Sequence, residues 1–277
     1  MKVAIIGGNG MLGTELMKVF PGAGNLNHGV LRIEGSPNNW PLDVFSSGLI
    51  INTAAFHEVG ECEKFPNRAF EVNYIGVRNL ARVCKSYCIR LIHISTNMVF
   101  NGRKWTAYDP TDDPDPQSVY GYSKWLGECA IRDEITNCDL KATIVRLGPI
   151  YGHAPCRGKN GRQFVSDLLA KAQAGKPLAY PCDQIVSPIS CADAAEAIRS
   201  LVDMEDRPVV HVGSENSCSW FEFAREILRQ AVIDRPIETT LTTDPKRPKM
   251  GALRPSLKTP RWQDSLAGYF SSRPVGA

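Results

Sequence analysis

Short apolar runs alternate with amphipathic segments along the first half of the chain. Val3–Ile6 is an apolar run followed by glycines, which is typical of a parallel strand buried on both faces. A helix is predicted directly after it, because Leu12, Leu16 and Phe20 recur at helical spacing before Pro21-Gly22. Further strands are predicted at 29–33, 49–55, 90–95, 142–147 and 209–213, and further helices near 72–84, 118–135, 164–172, 191–202 and 219–232. This alternation predicts an α/β protein with a doubly wound parallel sheet.

The composition of the 277 residues is that of an ordinary globular protein and informs on function only by exclusion. Hydrophobic residues make up 43% and charged residues 22%, which excludes a disordered chain. The net charge is 32 − 29 = +3 without long basic runs, so no nucleic-acid partner is expected. No stretch has the roughly 18 to 20 apolar residues of a membrane span, and the N-terminus is interpreted as a strand rather than a signal peptide.

The cysteines and histidines follow no disulfide or metal-binding pattern. Nine cysteines are present, an odd number, with no C-x-x-C pair and no Cys/His group at zinc spacing. They are interpreted as reduced thiols of a cytoplasmic protein. His57, His93 and His153 lack H-x-x-x-H spacing and a carboxylate partner pattern, so they are interpreted as structural histidines and no metal is expected.

A glycine-rich loop lies between the first predicted strand and the first predicted helix. Gly7, Gly10 and Gly13 fit the pattern G-x-x-G-x-x-G. Glycines there allow a tight turn, a close approach of the backbone to a pyrophosphate, and close packing of helix against strand. The N–H groups and partial positive charge of the helix N-terminus favour phosphates. The loop therefore predicts a dinucleotide site on a Rossmann-type fold in preference to a plain βα turn.

Two further motifs place proton-transfer groups near one edge of the sheet. Tyr120 and Lys124 are four residues apart on a predicted helix, so both side chains lie on one face. A Lys ammonium together with a cationic nicotinamide ring would depress the pKa of the tyrosine from its ordinary value of about 10. Ser95-Thr96 ends a predicted parallel strand, where open α/β sheets bind ligands and a hydroxyl can hold a carbonyl oxygen. The neighbouring Tyr122 does not fit the same motif, because no lysine lies four residues after it.

Taken in order, these three motifs resemble the short-chain dehydrogenase/reductase superfamily, in its extended, sugar-nucleotide branch. The resemblance is closest to the dTDP-4-dehydrorhamnose reductase family and spans nearly the whole chain. The segments that carry it are 7–13, 51–56, 61–63 with Pro66, 72–73, 95–102, 119–121 with Lys124, Arg146 with 151–152, 183–184 with Pro188, and the Arg-Pro pairs at Arg247 and Arg254.

The resemblance implies an NAD(P)H-dependent reductase that acts on the ketone of a nucleotide-linked 4-keto sugar. Thr96, Tyr120 and Lys124 would be the catalytic trio, with Tyr120 as the proton donor. NADPH or NADH would contact Gly7, Gly10, Met11, Leu12, Gly13, Asp43, Val44, Ala54, Ala55, Phe56, Ile94, Tyr120 and Lys124, with Asp43-Val44 facing the adenine. The sugar nucleotide would contact Thr96, Asn97, Met98, Tyr120, Gln184 and Arg254. A homodimer is the family expectation.

Two departures from the family pattern fall where the sugar would lie. Asn97-Met98 replaces the usual Asp-Tyr after the threonine, and Gly148-Pro149 lies in the region of the usual Ser-Trp pair. Arg32 would favour a cofactor 2′-phosphate and Glu34 a free 2′-hydroxyl, so NADPH and NADH both stay open. Two other functions stay open as well: a cofactor-binding regulatory protein that resembles the regulatory subunit of methionine adenosyltransferase, and a sugar-nucleotide epimerase.

The motifs also divide the chain into two parts. Residues 1–148 with about 178–213 are expected to form the NAD(P)-binding Rossmann domain, and about 149–177 with 214–277 a small C-terminal substrate-binding lobe. Residues 34–47 are rich in turn formers and too few for a full crossover helix. One βα unit is therefore expected to be shortened on the adenine side.

Overall fold

Strands and helices alternate along most of the chain in the computed structural model, which describes residues 1–204 and 207–272. The strands are β1 (Val3–Ile6), β2 (Gly24–Leu26), β3 (Leu49–Asn52), β4 (Arg90–Thr96), β5 (Ala142–Leu147), β6 (Ile150–Tyr151), β7 (Ala179–Pro181), β8 (Ile185–Val186), β9 (Ile189–Ser190), β10 (Val209–Val212), β11 (Cys218–Ser219) and β12 (Glu238–Thr240). The helices are α1 (Met11–Val19), α2 (Leu42–Phe45), α3 (Val59–Lys64), α4 (Pro66–Phe70), α5 (Gly76–Ser86), α6 (Val119–Cys138), α7 (Phe164–Gln173), α8 (Cys191–Ser200), α9 (Trp220–Gln230) and α10 (Trp262–Ser271). A π-helical turn at Glu71–Ile75 joins α4 to α5.

Six strands form one sheet in the order β2-β1-β3-β4-β5-β10, and every neighbouring pair is parallel. Ile5 and Ile51 pack on one face with side chains of α1 and α8. Ala4 and Ile50 pack on the other face with side chains of α5 and α6. Successive residues of a strand are therefore buried on opposite faces, which is why the strands are continuous apolar runs. The predicted doubly wound parallel sheet is confirmed.

The strand order reverses between β1 and β3. From β1 the chain crosses to β2 on one side, and then to β3 on the other side of β1. Such a switch point opens a crevice at the carboxyl ends of the two strands. The glycine loop follows β1 and residues 53–56 follow β3, so two of the predicted cofactor-binding segments flank this crevice.

The second strand lies earlier in the chain than the hydrophobic alternation predicts. The predicted segment 29–33 forms turns, and the backbone and side-chain oxygens of Asn27 accept from N–H groups of the residues that follow it. Leu31 and Ile33 alternate with exposed neighbours because they fill the core beside α5, not because they belong to a strand. The predicted strand is therefore wrong. The predicted shortening of this βα unit is confirmed, because α2 has only four residues.

A second hydrophobic core lies in the C-terminal part of the chain, where the small lobe is predicted. Side chains of α7, α9 and α10 meet in it, among them Leu168, Phe223 and Leu266. Leu178 also packs there, whereas α8 packs on α1 and β10 completes the main sheet. The returning segment therefore joins the Rossmann layers at α8 and β10, and the predicted domain boundaries stay a prediction. Within residues 1–204 and 207–272, no helix has the length and apolar character needed to cross a membrane.

Candidate active site

The glycine loop packs tightly on the start of α1. Gly7 has a φ of 81°, in the left-handed region that favours glycine, and a Cβ there would lie 2.6 Å from Thr53 Oγ1. A Cβ at Gly13 would collide with the Gly7 carbonyl oxygen. Gly10 is the N-cap and has no side chain to accept from the first turn of α1, so those N–H groups suit an anion. The predicted cofactor residues Gly7, Gly10, Met11, Leu12 and Gly13 lie together at this helix end.

Asn73 holds the loop that follows β3. Its Oδ1 accepts from the Phe56 N–H at 2.9 Å, and its Nδ2 donates to the Phe56 carbonyl at 2.8 Å and to Ser123 Oγ at 3.0 Å. Asn73 is fully buried on the π-helical turn, and Ser123 belongs to α6. Ala54, Ala55 and Phe56 are therefore fixed between the glycine loop and α6, where the cofactor contact is predicted.

Thr96 and Tyr120 meet where β4 ends and α6 begins. Tyr120 is the second residue of α6, and the N-cap Ser118 accepts from the Gly121 N–H at 3.1 Å. The Thr96 side chain lies close enough to the Tyr120 hydroxyl to lower its pKa. A Cβ at Gly121 would collide with the Met98 carbonyl oxygen, so α6 approaches the end of β4 closely because this residue is glycine. The close approach brings the two hydroxyls together.

The pKa of Tyr120 is raised, not lowered. Burial raises it to about 12, and the neighbouring Thr96 side chain offsets only part of that effect. The depression expected from a neighbouring Lys ammonium is absent, because Lys124 Nζ donates to the Ile94 carbonyl at 2.7 Å and lies 3.2 Å from His93 Nε2. Tyr120 is therefore a neutral phenol at physiological pH, which is the form that donates a proton.

Lys124 is 1% exposed, between α6 and β4. Burial lowers the pKa of its amine to about 8, although the nearby Glu128 carboxylate raises it. His93 is fully buried, and its burial, together with Lys124, holds the pKa of the imidazole well below its usual range. The ring beside Lys124 is therefore neutral.

A buried ion pair supports the trio from behind. Arg146 on β5 donates to both carboxylate oxygens of Glu128 on α6, and its shortest contact is 2.8 Å. Their side chains are 0% and 1% exposed. Ser95 Oγ donates to Glu128 Oε1 at 2.5 Å. These contacts join β4, β5 and α6, and so fix the helix that carries Tyr120 and Lys124.

The predicted sugar-binding residues Asn97 and Gln184 both contact one segment of the chain, 248–251. Asn97 Nδ2 donates to the Gly251 carbonyl at 2.7 Å, and Gln184 Nε2 donates to the Pro248 carbonyl at 3.4 Å. Met98, which follows Asn97, donates from its N–H to Thr96 Oγ1 at 3.2 Å. The structure thus brings Thr96, Asn97, Met98 and Gln184 to the end of β4.

The pair Asp43-Val44 lies at the opposite edge of the sheet. Val44 is fully buried in the core, and Asp43 pairs with Lys2 at 2.7 Å. Lys2 precedes β1 and α2 leads into β3, so the pair lies at the amino ends of these strands. A dinucleotide binds at the carboxyl ends. The prediction that Asp43-Val44 faces the adenine is therefore wrong.

The other polar residues singled out in the sequence lie nearer the surface. Arg254 is largely exposed and pairs with Asp109 at 3.2 Å, and its contact with the sugar nucleotide stays a prediction. His57 Nε2 lies 3.7 Å from Cys156 Sγ, and His153 stacks on Tyr269. Over the described ranges, no three His, Cys, Asp or Glu side chains are grouped to hold a metal ion.

Comparison with known proteins places the chain in a family. The family model described as RmlD substrate binding domain matches residues 1–269. The chain belongs to the RmlD family. It is 31% identical to the spore coat polysaccharide biosynthesis protein SpsK of Bacillus subtilis, over 98% of this chain and 98% of that protein.

Solved structures of RmlD-like reductases have the same fold. A dTDP-4-dehydrorhamnose reductase from Clostridium acetobutylicum superposes with a TM-score of 0.87 at 29% identity, covering 98% of this chain and 99% of that chain. The dTDP-4-dehydrorhamnose reductase of Bacillus anthracis, in complex with NADP, gives a TM-score of 0.86 at 29% identity, covering 99% of both chains. The predicted resemblance to extended short-chain dehydrogenases of the sugar-nucleotide branch is confirmed.

Three polar residues of the RmlD-family chain contact the trio or its neighbours and were not predicted as site residues: Asn52, His93 and Glu128. His93 interrupts a buried apolar strand three residues before Thr96, and Glu128 follows Lys124 by one helical turn. A polar side chain buried on an apolar strand needs a hydrogen-bonding partner. That interruption is the signal that sequence alone could have offered for His93.

Proposed function

We propose that this RmlD-family chain is an NAD(P)H-dependent reductase of a nucleotide-linked 4-keto sugar. The observation that carries the proposal is the position of the Thr96 side chain beside Tyr120 at the end of β4, with Lys124 one helical turn away on α6. The pair lies at the carboxyl edge of the sheet that also carries the glycine loop. Donors that converge on one position in this way can stabilise and protonate a carbonyl oxygen.

The glycine loop fits a dinucleotide, and the NADP complex of the Bacillus anthracis relative supports this cofactor class. The free first turn of α1 would hold the pyrophosphate, and Ala54, Ala55, Phe56 and Ile94 would lie along the remainder of the cofactor. When bound, the reduced nicotinamide supplies the hydride. Both NADPH and NADH are candidates, because Arg32 and Glu34 both follow β2 in the chain.

The residues of this chain would move the proton. Tyr120, kept neutral by burial, would donate its hydroxyl proton to the carbonyl oxygen of the sugar, and Thr96 would donate a hydrogen bond to the same oxygen. Asn97 is a neutral amide held by Gly251, where the family pattern has an aspartate. We therefore expect the contacts to the sugar hydroxyls to differ from those of a rhamnose-forming reductase.

A panel assay tests this function. The purified protein is mixed with NADPH or NADH and a set of nucleotide-linked 4-keto sugars that includes dTDP-4-dehydrorhamnose, and absorbance of the reduced nicotinamide is followed. Consumption with one sugar, with an equal amount of alcohol product, supports the reductase. Cofactor binding without turnover on any sugar would favour the regulatory function, and failure to bind either cofactor would contradict both. Sedimentation of the same sample tests the family expectation of a homodimer.

A further inference from the structure

A buried chain of hydrogen-bonding groups runs from the last residue of β3 to Lys124. Asn52 Nδ2 lies 3.1 Å from His93 Nδ1, and His93 Nε2 lies 3.2 Å from Lys124 Nζ. Asn52 and His93 are fully buried, and Lys124 is 1% exposed. Because these groups are removed from bulk water, each polar hydrogen has to find its acceptor within the protein.

The direction of this chain follows from the backbone. Asn52 Oδ1 accepts from the Ala54 N–H at 3.1 Å, which leaves the NH₂ group of the amide facing His93. His93 Nδ1 is then an acceptor, so a neutral imidazole carries its one hydrogen on Nε2. That N–H faces Lys124 Nζ. Two donors would face each other if Lys124 were an ammonium, whereas a neutral amine offers a lone pair.

The opposite arrangement of hydrogens along this chain would break the contact between Asn52 and Ala54. An ammonium that donates to His93 Nε2 needs the hydrogen on Nδ1, and therefore an acceptor on Asn52. If the Asn52 amide turned over to provide it, its NH₂ group would face the Ala54 N–H, and that buried donor would lose its partner. Lys124 still donates to the Ile94 carbonyl at 2.7 Å in either form.

We propose that Asn52 fixes the Nε2–H tautomer of His93, and that His93 is a positioning residue that donates to Lys124 and favours its uncharged amine. The ionisable groups around Lys124 agree with this assignment. Burial lowers the pKa of Lys124 to about 8, and Glu128 on the same helix opposes that effect. The pKa of His93 is lowered by burial and by Lys124, and that of His57 chiefly by burial and by Lys159. Tyr120 on the same helix is a neutral phenol.

The catalytic consequence, which rests on the proposed function, concerns the step after reduction. Tyr120 has then lost its proton to the sugar oxygen and is a phenolate. When the Lys124 ammonium supplies the replacement proton through an intervening hydroxyl or water molecule, one N–H bond of the ammonium breaks, the phenolic O–H bond forms, and Lys124 becomes an amine. His93 Nε2–H donates to that amine and so stabilises the product of the step.

Nuclear magnetic resonance of the cofactor-free protein, labelled with ¹⁵N-histidine, tests the tautomer. The signals of His93 are assigned by their loss in His93→Gln. We expect the Nε2–H tautomer at pH 9.5, where Lys124 is mostly an amine, in the native protein and the Nδ1–H tautomer in Asn52→Asp, whose carboxylate can accept from both Ala54 and His93. A native His93 in the Nδ1–H or cationic form overturns the proposal. Neither cofactor nor sugar is present, so this outcome is independent of the proposed function.

The titration of Lys124 provides a second readout. In protein labelled at lysine Nζ, the Lys124 signal is expected to titrate near pH 8 in the native protein. In His93→Gln and Asn52→Asp the titration is expected about one pH unit higher, because in both variants an acceptor can face the Lys124 ammonium. His211→Gln is the control, because His211 is equally buried in the same sheet but contacts the Tyr108 carbonyl instead. An unchanged Lys124 titration in both variants contradicts the proposal. If one variant fails to fold, the other still decides it.

Discussion

Ser95 donates a 2.5 Å hydrogen bond to Glu128, the carboxylate that also holds Arg146. Ser95 immediately precedes Thr96, and Glu128 lies one turn after Lys124 on α6. One buried carboxylate therefore fixes the strand end and the helix that together supply all three predicted catalytic side chains. The position of the trio depends on this contact, although Glu128 is not itself one of the three predicted catalytic residues.

Replacing Glu128 is expected to destabilise the whole protein. Glu128→Gln removes the charge that compensates Arg146 and leaves a buried guanidinium unpaired, which costs about 3–5 kcal/mol in comparable cases. Urea unfolding followed by circular dichroism measures the change in the free energy of unfolding. Asp43→Asn is the matched control, because it breaks the exposed pair with Lys2 and is expected to leave the unfolding midpoint almost unchanged. Equal effects of the two substitutions would contradict the structural role of Glu128.

Tyr120→Phe is expected to abolish most turnover and keep cofactor binding. The phenol is the only group of the trio that is both neutral and acidic enough to donate, and loss of a general acid lowers kcat by roughly 10²–10⁴-fold. Tyr122→Phe is the matched control, because Tyr122 is two residues away on the same helix but 44% exposed. The measurement is kcat with the sugar identified in the panel, beside the Kd of the cofactor by fluorescence titration. Normal turnover by the Tyr120→Phe variant would contradict the proposed mechanism.

Gly13→Ala is expected to weaken cofactor binding by at least tenfold. Its Cβ would collide with the Gly7 carbonyl oxygen and push the glycine loop away from the start of α1. In Gly268→Ala, the control, the added Cβ meets no atom within 4 Å, and the change on α10 is expected to raise stability by about 0.5–1 kcal/mol. Isothermal titration with NADPH and NADH measures both variants, and comparable affinities would contradict a role of the loop in binding.

The sequence predicted those parts of the fold that follow from local patterns. Predominantly apolar runs identified β1, β3, β4 and β5, because a strand buried on both faces has few polar positions. The same rule failed for β2, since Leu31 and Ile33 are buried by turns that Asn27 holds, and a turn that packs on the core can imitate strand alternation.

The site shows the same limit. The glycine loop, Thr96, Tyr120 and Lys124 were found because motif spacing along the chain encodes them. Asp43-Val44 was misplaced, because a two-residue match does not say at which edge of a sheet it lies. The roles of Asn52 and His93 depend on three separate strand and helix segments that only the parallel sheet brings together.

Lys124→Met is expected to stabilise the protein at neutral pH and to flatten its pH dependence. The pKa of Lys124 is about 8 in the folded protein against an ordinary value of about 10.5, so the unfolded chain binds more protons between these values. Stability of the native protein therefore rises as the pH increases from 8 to 10.5, and the cost of the buried ammonium is fully present below pH 8. Removing the ammonium is expected to raise the free energy of unfolding by on the order of 3 kcal/mol at pH 7, minus any loss of packing. Urea unfolding of both proteins at several pH values checks this, with the exposed Lys85→Met as control. A gain in stability that is the same at pH 7 and pH 10.5 would show that packing, and not the charge of Lys124, is responsible.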